Sequence, residues 1–328
     1  MRALRFSKPG EPLDVLRLDE VPAPEPGRGE VRVRITHRPI NPSDLLTIRG
    51  VYPIQPSLPG SPGLEGVGVI DAVGEGVTTL ARGQRVISIA GLPGTWAEQL
   101  VIPAERALPV PDAVSDQVAA QVLVNPVTAW AMLHDELALA EGDWLLQTAA
   151  SSTLGHLVIQ LARHRRIRTI NVVRRRAQVQ ALLDAGADAV VCTEDEPLVE
   201  RVRAITGGKG VRGAIDAVSG PQAGEVARCL APGGIMLTMG VLGGATLGPI
   251  DAGDLLFKSA TIRGFWLTNW FMKQTPELVG RALTEVLTLL ATGVMKPAVE
   301  AEYDLADFRP AIGHAERPGR NGKVLLKG

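Results

Sequence analysis

Six residues, Ala150-Ser151-Ser152-Thr153-Leu154-Gly155, stand between a short apolar run (143–148) and a helical pattern (155–164). A strand, a tight turn and a helix N-terminus form a ready site for a phosphate group, because free backbone N–H groups and the helix dipole face outward there. The dinucleotide fingerprint at such a turn is G-x-G-x-x-G. Only its last glycine is present here, as Gly155. Small residues still permit close backbone approach, and the hydroxyls of Ser151, Ser152 and Thr153 add donors. The alternative is a Ser-rich turn that only caps a helix.

The following strand narrows the choice. About twenty residues beyond the turn, NAD-binding folds carry a carboxylate for the ribose hydroxyls. This chain has Asn171-Val172-Val173-Arg174-Arg175-Arg176. Guanidinium groups at a strand end suit a 2′-phosphate, so the pattern points to NADPH, with Arg174 first in line and Asn171 and Arg176 beside it. A solvated basic face is the alternative reading, since Arg163, Arg165, Arg166 and Arg168 lie close in sequence.

These residues need a scaffold. A chain of 328 residues has room for two domains. Residues 30–36 alternate apolar and charged side chains, and 66–73, 85–90 and 96–102 are further short apolar runs. Glycine or proline separates them at Gly74, Gly76, Gly83, Gly91, Pro93, Gly94 and Pro103. This rhythm predicts a compact β-rich domain. Near residue 115 it changes. Ser115 can cap a helix that runs toward Leu139 with a bend at Pro126. Strand and helix signals then alternate through 168–173, 177–183, 188–192, 196–205, 214–218, 235–239 and 261–265. An amphipathic helix follows over 275–292. Alternation with apolar strands predicts a parallel sheet covered on both faces. The tail, 323–326, is strand-like and is expected to return to the first domain.

Composition excludes several function classes. The net charge of −1 offers no electrostatic case for nucleic acid or an anionic membrane. No apolar run reaches the roughly 18 residues of a membrane span, and the start has no secretory core. Two cysteines, Cys192 and Cys229, read as small buried hydrophobes in a reducing, cytoplasmic setting. They cannot build a four-thiolate zinc site, and the five histidines are not paired at metal spacing. Neither a G-x-S-x-G elbow nor a G-x-x-x-x-G-K-[ST] loop occurs, which argues against a serine hydrolase and an ATPase.

Several motifs together carry a family resemblance over nearly the whole chain. They are Asn41-Pro42-Ser43-Asp44, Gly50-Val51-Tyr52, Gly94-Thr95-Trp96 and Val124-Asn125-Pro126-Val127-Thr128-Ala129. With them go the strand ending in Arg174, Phe257-Lys258, and Arg263-Gly264-Phe265-Trp266-Leu267 followed by Trp270. The chain resembles the zinc-free medium-chain dehydrogenases/reductases: quinone oxidoreductases and, in the Arg174 and Phe265–Leu267 stretches, mitochondrial-type trans-2-enoyl-thioester reductases. Where zinc-dependent relatives carry a catalytic cysteine, this chain has Asn41-Pro42-Ser43. Where they carry Gly-His-Glu, it has Gly63-Leu64-Glu65.

The resemblance implies an α/β architecture: a GroES-like β-rich catalytic domain over 1–118 and 265–328, and a Rossmann domain with a doubly wound parallel sheet over 119–264. It implies an NADPH-dependent, zinc-independent reductase acting on a conjugated small molecule, carried on CoA or acyl carrier protein if it is an enoyl thioester. A quinone or enone acceptor is the second reading, and an NADPH-binding protein without turnover the third. A homodimer is expected, with 235–242 either an apolar sheet edge or a buried inner strand.

Residue roles follow from the same resemblance. Tyr52 is the candidate proton donor, or else it packs a Pro-rich loop. Asn41 holds nicotinamide or substrate carbonyl, or else shapes a turn. Thr128, Ser151, Ser152, Thr153, Leu154, Gly155, Asn171, Arg174, Arg176, Val241, Phe265, Trp266 and Lys323 are the expected cofactor set. For Thr128 an intrahelical hydrogen bond is the alternative, and for Lys323 a solvated position. Trp266 and Trp270 are assigned to the substrate pocket, with a packing role as the alternative for Trp270. Trp96 and Trp144 are expected to be structural.

Overall fold

A computed structural model describes residues 1–88 and 94–328 of the protein. Ile89 and Ala90, the end of the strand expected over 85–90, lie outside the described residues, as do Gly91 and Pro93. The chain divides into two units, Met1–Val124 with Pro297–Gly328, and Asn125–Lys296.

The first unit is β-rich. Its strands are β1 (Arg2–Arg5), β2 (Arg17–Glu20), β3 (Glu30–Pro39), β4 (Val67–Val73), β5 (Arg85–Ser88), β6 (Gln99–Pro103) and β7 (Ala107–Pro109). Two more, β14 (Val299–Asp304) and β15 (Lys323–Lys327), come from the far end of the chain. A seven-stranded sheet runs β14-β15-β3-β4-β5-β7, with β6 also pairing β3. The alternation of β3 places Val31, Val33 and Ile35 wholly out of solvent, where they meet Ile70, Val86 and Leu100. The tail returns as expected, with β15 antiparallel to β3 and parallel to β14. A second core forms around Leu4, Phe6, Trp96, Ile312 and Val324.

The second unit is a doubly wound α/β domain. Its strands are β8 (Trp144–Gln147), β9 (Arg168–Val173), β10 (Ala189–Cys192), β11 (Val211–Asp216), β12 (Leu230–Thr238) and β13 (Thr261–Gly264). All pairings are parallel, in the order β10-β9-β8-β11-β12-β13. That order is the Rossmann arrangement, with its switch point between β8 and β11. Helices cover the sheet, so β9 is buried at every position after Arg168. Trp144 is half-buried beneath the Arg168 guanidinium, 4.4 Å from its ring centre.

Three expectations need correction. The first concerns the domain boundaries, which fall at 124/125 and 296/297 rather than near 118 and 265. The stretch 265–296 stays with the second unit because its helix Pro276–Ala291 buries Leu283, Val286 and Leu290 there and packs on the helix Asn125–Trp130. The second concerns the helix expected to run from 115 to 139 with one bend. It is three pieces: Asp116–Ala119, capped by the Ser115 hydroxyl, then Asn125–Trp130, then a π-helical turn Ala131–Glu136. Pro126 lacks an N–H and its ring clashes with a preceding carbonyl, so it opens a new helix instead of bending an old one. The third concerns 235–242. Strand β12 lies between β11 and β13, so the inner-strand alternative is the observed one, and β13 is the free edge on that side.

Leu146 tests the packing. It is completely buried on β8, in register with Ile170 and Ala214. Leu146→Ala should cost about 2–5 kcal/mol of unfolding free energy in urea titration, the range for a cavity in a core that cannot collapse. A loss below about 1 kcal/mol would show that the sheet repacks freely.

Candidate active site

The turn after β8 is built as the dinucleotide reading requires. Ser152 is the N-cap of the helix Thr153–His164, its hydroxyl accepting the Gly155 N–H at 3.1 Å. Thr153 and Leu154 form the first helical turn, partly exposed with Ser151 before them. Gly155 is required by space: a Cβ there would lie 2.2 Å from the Ala150 carbonyl oxygen. The Ser151 hydroxyl accepts a bond from Gln178 Nε2 at 2.7 Å. Thr148 Oγ1 donates to Asp216 Oδ1 at 2.8 Å and accepts the Ala217 N–H, so the ends of β8 and β11 are tied at the switch point. Asp216 also takes the N–H groups of Val218 and Ser219, at 3.0 Å each. Open backbone donors at the helix start, and a turn admitting only glycine at its closest approach, fit a bound pyrophosphate.

The neighbouring strand supplies charge. Arg174 and Arg175 are exposed immediately past β9. Arg176 is exposed too, but its Nε pairs with Asp195 at 3.0 Å. Asn171, expected to face the cofactor, is corrected: it is fully buried inside the sheet. Its Oδ1 accepts from Gln147 at 2.6 Å, and its Nδ2 donates to Thr169 Oγ1 at 3.0 Å and the Ala189 carbonyl at 3.1 Å. These bonds use both N–H donors and one acceptor site of the amide, and they fix neighbouring strands to one another.

Val241 lies beyond β12 and is exposed. Phe265 follows β13, is buried, and donates its N–H to the Thr238 carbonyl at 2.8 Å. Trp266 is half-buried at the N-cap of the helix Leu267–Lys273. Trp270, assigned above to the substrate pocket, is corrected to a packing residue. Only 3% exposed, it meets Trp130 edge-on, and its Nε1 donates to Asp135 at 2.7 Å. Thr128 is buried on the helix Asn125–Trp130.

In the first unit, Asn41 and Lys323 are brought into direct contact. Lys323 is buried, so its solvated alternative is set aside, and its Nζ donates to Asn41 Oδ1. The Asn41 Nδ2 donates to Glu65 Oε1 at 2.9 Å. With no exposed surface, Asn41 ties these side chains together, its oxygen on Lys323 and its nitrogen on Glu65. Asp44 completes the group, accepting the N–H of Asn41 at 2.8 Å and of Leu64 at 3.0 Å. Burial pushes the Asp44 carboxyl up to about 7 and that of Glu65 upward, and it lowers the Lys323 ammonium to about 8. Sequence reasoning passed over Asp44 and Glu65 as chemistry. The Asn-x-x-Asp spacing of a capping box was the one local signal for Asp44. Tyr52 is half-buried two residues past Gly50, and its N–H bonds the Leu46 carbonyl at 3.3 Å.

The comparisons agree with this architecture. A family model described as "Alcohol dehydrogenase GroES-like domain" matches residues 27–112, and one described as "Zinc-binding dehydrogenase" matches 153–284. A mitochondrial enoyl-[acyl-carrier-protein] reductase of Xenopus tropicalis is 34% identical over 99% of this chain and 95% of its own length. The Homo sapiens protein of the same name is 34% identical over 99% of this chain and 88% of its own. Among solved structures, an Escherichia coli quinone oxidoreductase complexed with NADPH is 30% identical, with a TM-score of 0.90 and full coverage of both chains. The chain belongs to the medium-chain dehydrogenase/reductase family.

The zinc that one family description implies does not fit these residues. Cys192 and Cys229 are buried in the second unit, and burial raises the Cys229 thiol to about 12. Leu64 and Ser43 offer no metal-binding atoms of the needed kind. Among the described residues, no group of three or more His, Cys, Asp or Glu side chains could hold a metal ion.

Gly155→Ala should lower unfolding free energy by about 1–3 kcal/mol, since its new methyl meets backbone and not a mobile side chain. Chemical denaturation reads this directly. An unchanged midpoint would mean that the turn shifts without cost, and the spatial requirement would be wrong.

Proposed function

We propose that the protein is an NADPH-dependent reductase that delivers hydride to the C=C bond of a trans-2-enoyl thioester. The observation that carries this reading is full-length similarity to proteins named enoyl reductases, at 34% identity. NADPH when bound supplies the hydride. The chain's residues do the rest. The Thr153–His164 helix start and the Ser151–Gly155 turn hold the pyrophosphate, and Arg174 takes the 2′-phosphate. Thr128, Phe265 and Trp266 line the cofactor, with Trp266 also toward the acyl chain. Negative charge builds on the thioester oxygen as hydride adds to the β carbon, and the α carbon then takes a proton. Tyr52 is the residue we assign to that proton or to orienting the substrate.

A quinone or enone acceptor is the second reading. It is favoured by the TM-score of 0.90 to a quinone oxidoreductase, and it uses the same residues because both acceptors polarise a conjugated carbonyl. Binding of NADPH without turnover is the third. No helix among the described residues is long and apolar enough to cross a membrane. A cytoplasmic setting suits two buried free thiols, and cell fractionation checks it.

Loss of NADPH absorbance with trans-2-hexenoyl-CoA and with an aromatic quinone, side by side, separates these readings. We expect the thioester to be preferred, and NADH to be a poor substitute until Arg174→Ala removes the advantage of NADPH. Tyr52→Phe should lower kcat by about a hundredfold, the lower range for a lost proton donor. A Tyr52→Phe protein as fast as the wild type removes that residue from the chemistry. Quinone preference would move the protein to the second reading, and silence with both acceptors to the third.

We also propose a homodimer through the β13 side of the second unit. Leu256 and Phe257, on the helix Ala252–Lys258 that packs on β12, are 72% and 89% exposed, and Leu242 past the end of β12 is 73% exposed. Light scattering should give twice the chain mass, falling to the monomer in Phe257→Glu. A wild-type monomer would rule the dimer out.

A further inference from the structure

Glu65 lies in the loop before β4, only 1% exposed, and it belongs to none of the roles assigned so far. Its carboxylate meets donors on both oxygens. Oε1 takes the Asn41 amide at 2.9 Å, and Oε2 takes the N–H groups of Leu123 and Val124, each at 2.9 Å. Its own carbonyl accepts the Thr95 hydroxyl at 2.7 Å. A neutral side chain would satisfy two backbone N–H groups at far lower desolvation cost. The ionic form is matched instead by a second buried charge, the Lys323 ammonium, with the Asn41 amide between them. The charges fix the amide's orientation: oxygen to the ammonium, nitrogen to the carboxylate.

Two segments start from this cluster. Asn41 is the N-cap of the helix Pro42–Ile48, and the turn that follows it carries Tyr52. Val124 immediately precedes the helix Asn125–Trp130, which carries Thr128. We propose that Glu65 is a positioning residue for the reduction. It acts through the Asn41 amide on the helix leading to Tyr52, and through the Leu123 and Val124 amides on the turn leading to Thr128, with Lys323 as its counter-ion. This inference rests on the reductase reading above.

The charges facing the ammonium are Glu65, Asp44 on the helix Pro42–Ile48, and Arg320 on the segment entering β15. Arg320 in turn faces Glu300. As pH rises through about 8, Lys323 loses its proton, and Glu65 loses its counter-ion. The unfolded lysine titrates near 10.5, so between those values the unfolded chain binds more protons, and this group makes the fold more stable as pH rises. Asp44 acts in a lower window: its raised value makes stability fall as pH rises from 3.8 to about 7. Positioning and stability therefore separate above pH 8. A mere brace would let them fall together.

The test is kcat against pH for the wild type, Glu65→Gln and Lys323→Arg, using NADPH and the wild type's best acceptor, with the thermal midpoint at each pH. Hydrogen exchange of the Leu123 and Val124 amides, corrected for intrinsic rates, is followed alongside. We expect a wild-type alkaline decline near pH 8 without a parallel fall in the thermal midpoint. Lys323→Arg should carry the decline beyond about pH 10, because a guanidinium stays charged. Glu65→Gln should lose about tenfold or more in kcat with little change in the KM for NADPH, as misplacement of reacting groups requires. Its decline should move to lower pH, since a charge that favoured the ammonium is gone. A decline at one pH in all three proteins, or wild-type kcat in Glu65→Gln, overturns the proposal. If Glu65→Gln does not fold, the Lys323→Arg profile decides alone. If the wild type turns over no acceptor, the reductase reading fails, and exchange still tests the linkage. Faster exchange of the two amides above pH 8 in the wild type but not in Lys323→Arg supports it, and equal behaviour overturns it.

Discussion

A carboxylate taken out of water must find donors within the protein, and the first unit is arranged around that demand at Glu65. The donors come from three distant stretches of chain. Asn41 brings an amide, Leu123 and Val124 bring backbone N–H groups, and Lys323 brings the compensating charge through Asn41. The N–H groups are free because the helix expected over 115–139 is broken. Pro126 cannot donate into a helical ladder and its ring excludes the carbonyl four residues back, so the chain must restart there. The break and the carboxylate explain one another. Without Pro126, Leu123 and Val124 could bond within a continuous helix, and Glu65 would be a buried charge short of partners.

The second unit answers a different constraint. A parallel sheet with helices on both faces has no solvent side, so its strands must be apolar throughout or have every polar group met internally. Asn171 shows the second solution, with Gln147, Thr169 and Ala189 around it. The same logic accounts for the reduced glycine motif. Gly155 persists where a methyl would strike the Ala150 carbonyl. The earlier positions carry Ala150 and Ser152, and Ser152 takes up a helix N–H that a glycine could not have capped.

Much of this was legible in the sequence, for identifiable reasons. The limits expected for β9 match the observed ones because a strand covered on both faces shows as a short, mostly apolar run. Alternation of strand and helix pointed to a parallel sheet covered on both faces, and the family resemblance to a Rossmann domain. Misreadings arose where position in a motif was taken for direction of a side chain. Asn171 sits where a cofactor contact is expected, but its amide is taken up within the sheet by Gln147, Thr169 and Ala189. Trp270 follows an aromatic stretch beside the expected site, yet its indole turns to Asp135 and Trp130. The Asn41–Lys323 contact spans 282 residues, and no local pattern can announce it. A buried lysine and a solvated one look alike until the strand beneath them is placed.

The two candidate acceptors ask for the same chemistry and differ in shape. Each offers a carbon conjugated to a carbonyl, each gathers negative charge on oxygen, and each profits from a donor placed at that oxygen. Residues that serve this step, the role proposed for Tyr52, therefore cannot discriminate an enoyl thioester from a quinone. Discrimination between substrates of equal reactivity comes from contacts to the parts that do not react. A thioester presents a narrow, flexible chain and a large polar carrier, while a quinone presents a flat, compact ring. A scaffold shared by proteins named for either substrate fixes the hydride geometry and leaves that choice to side chains away from the reacting carbons. The role proposed for Glu65 and its partners is common to both acceptors, because it acts on backbone segments that any conjugated acceptor would need in place.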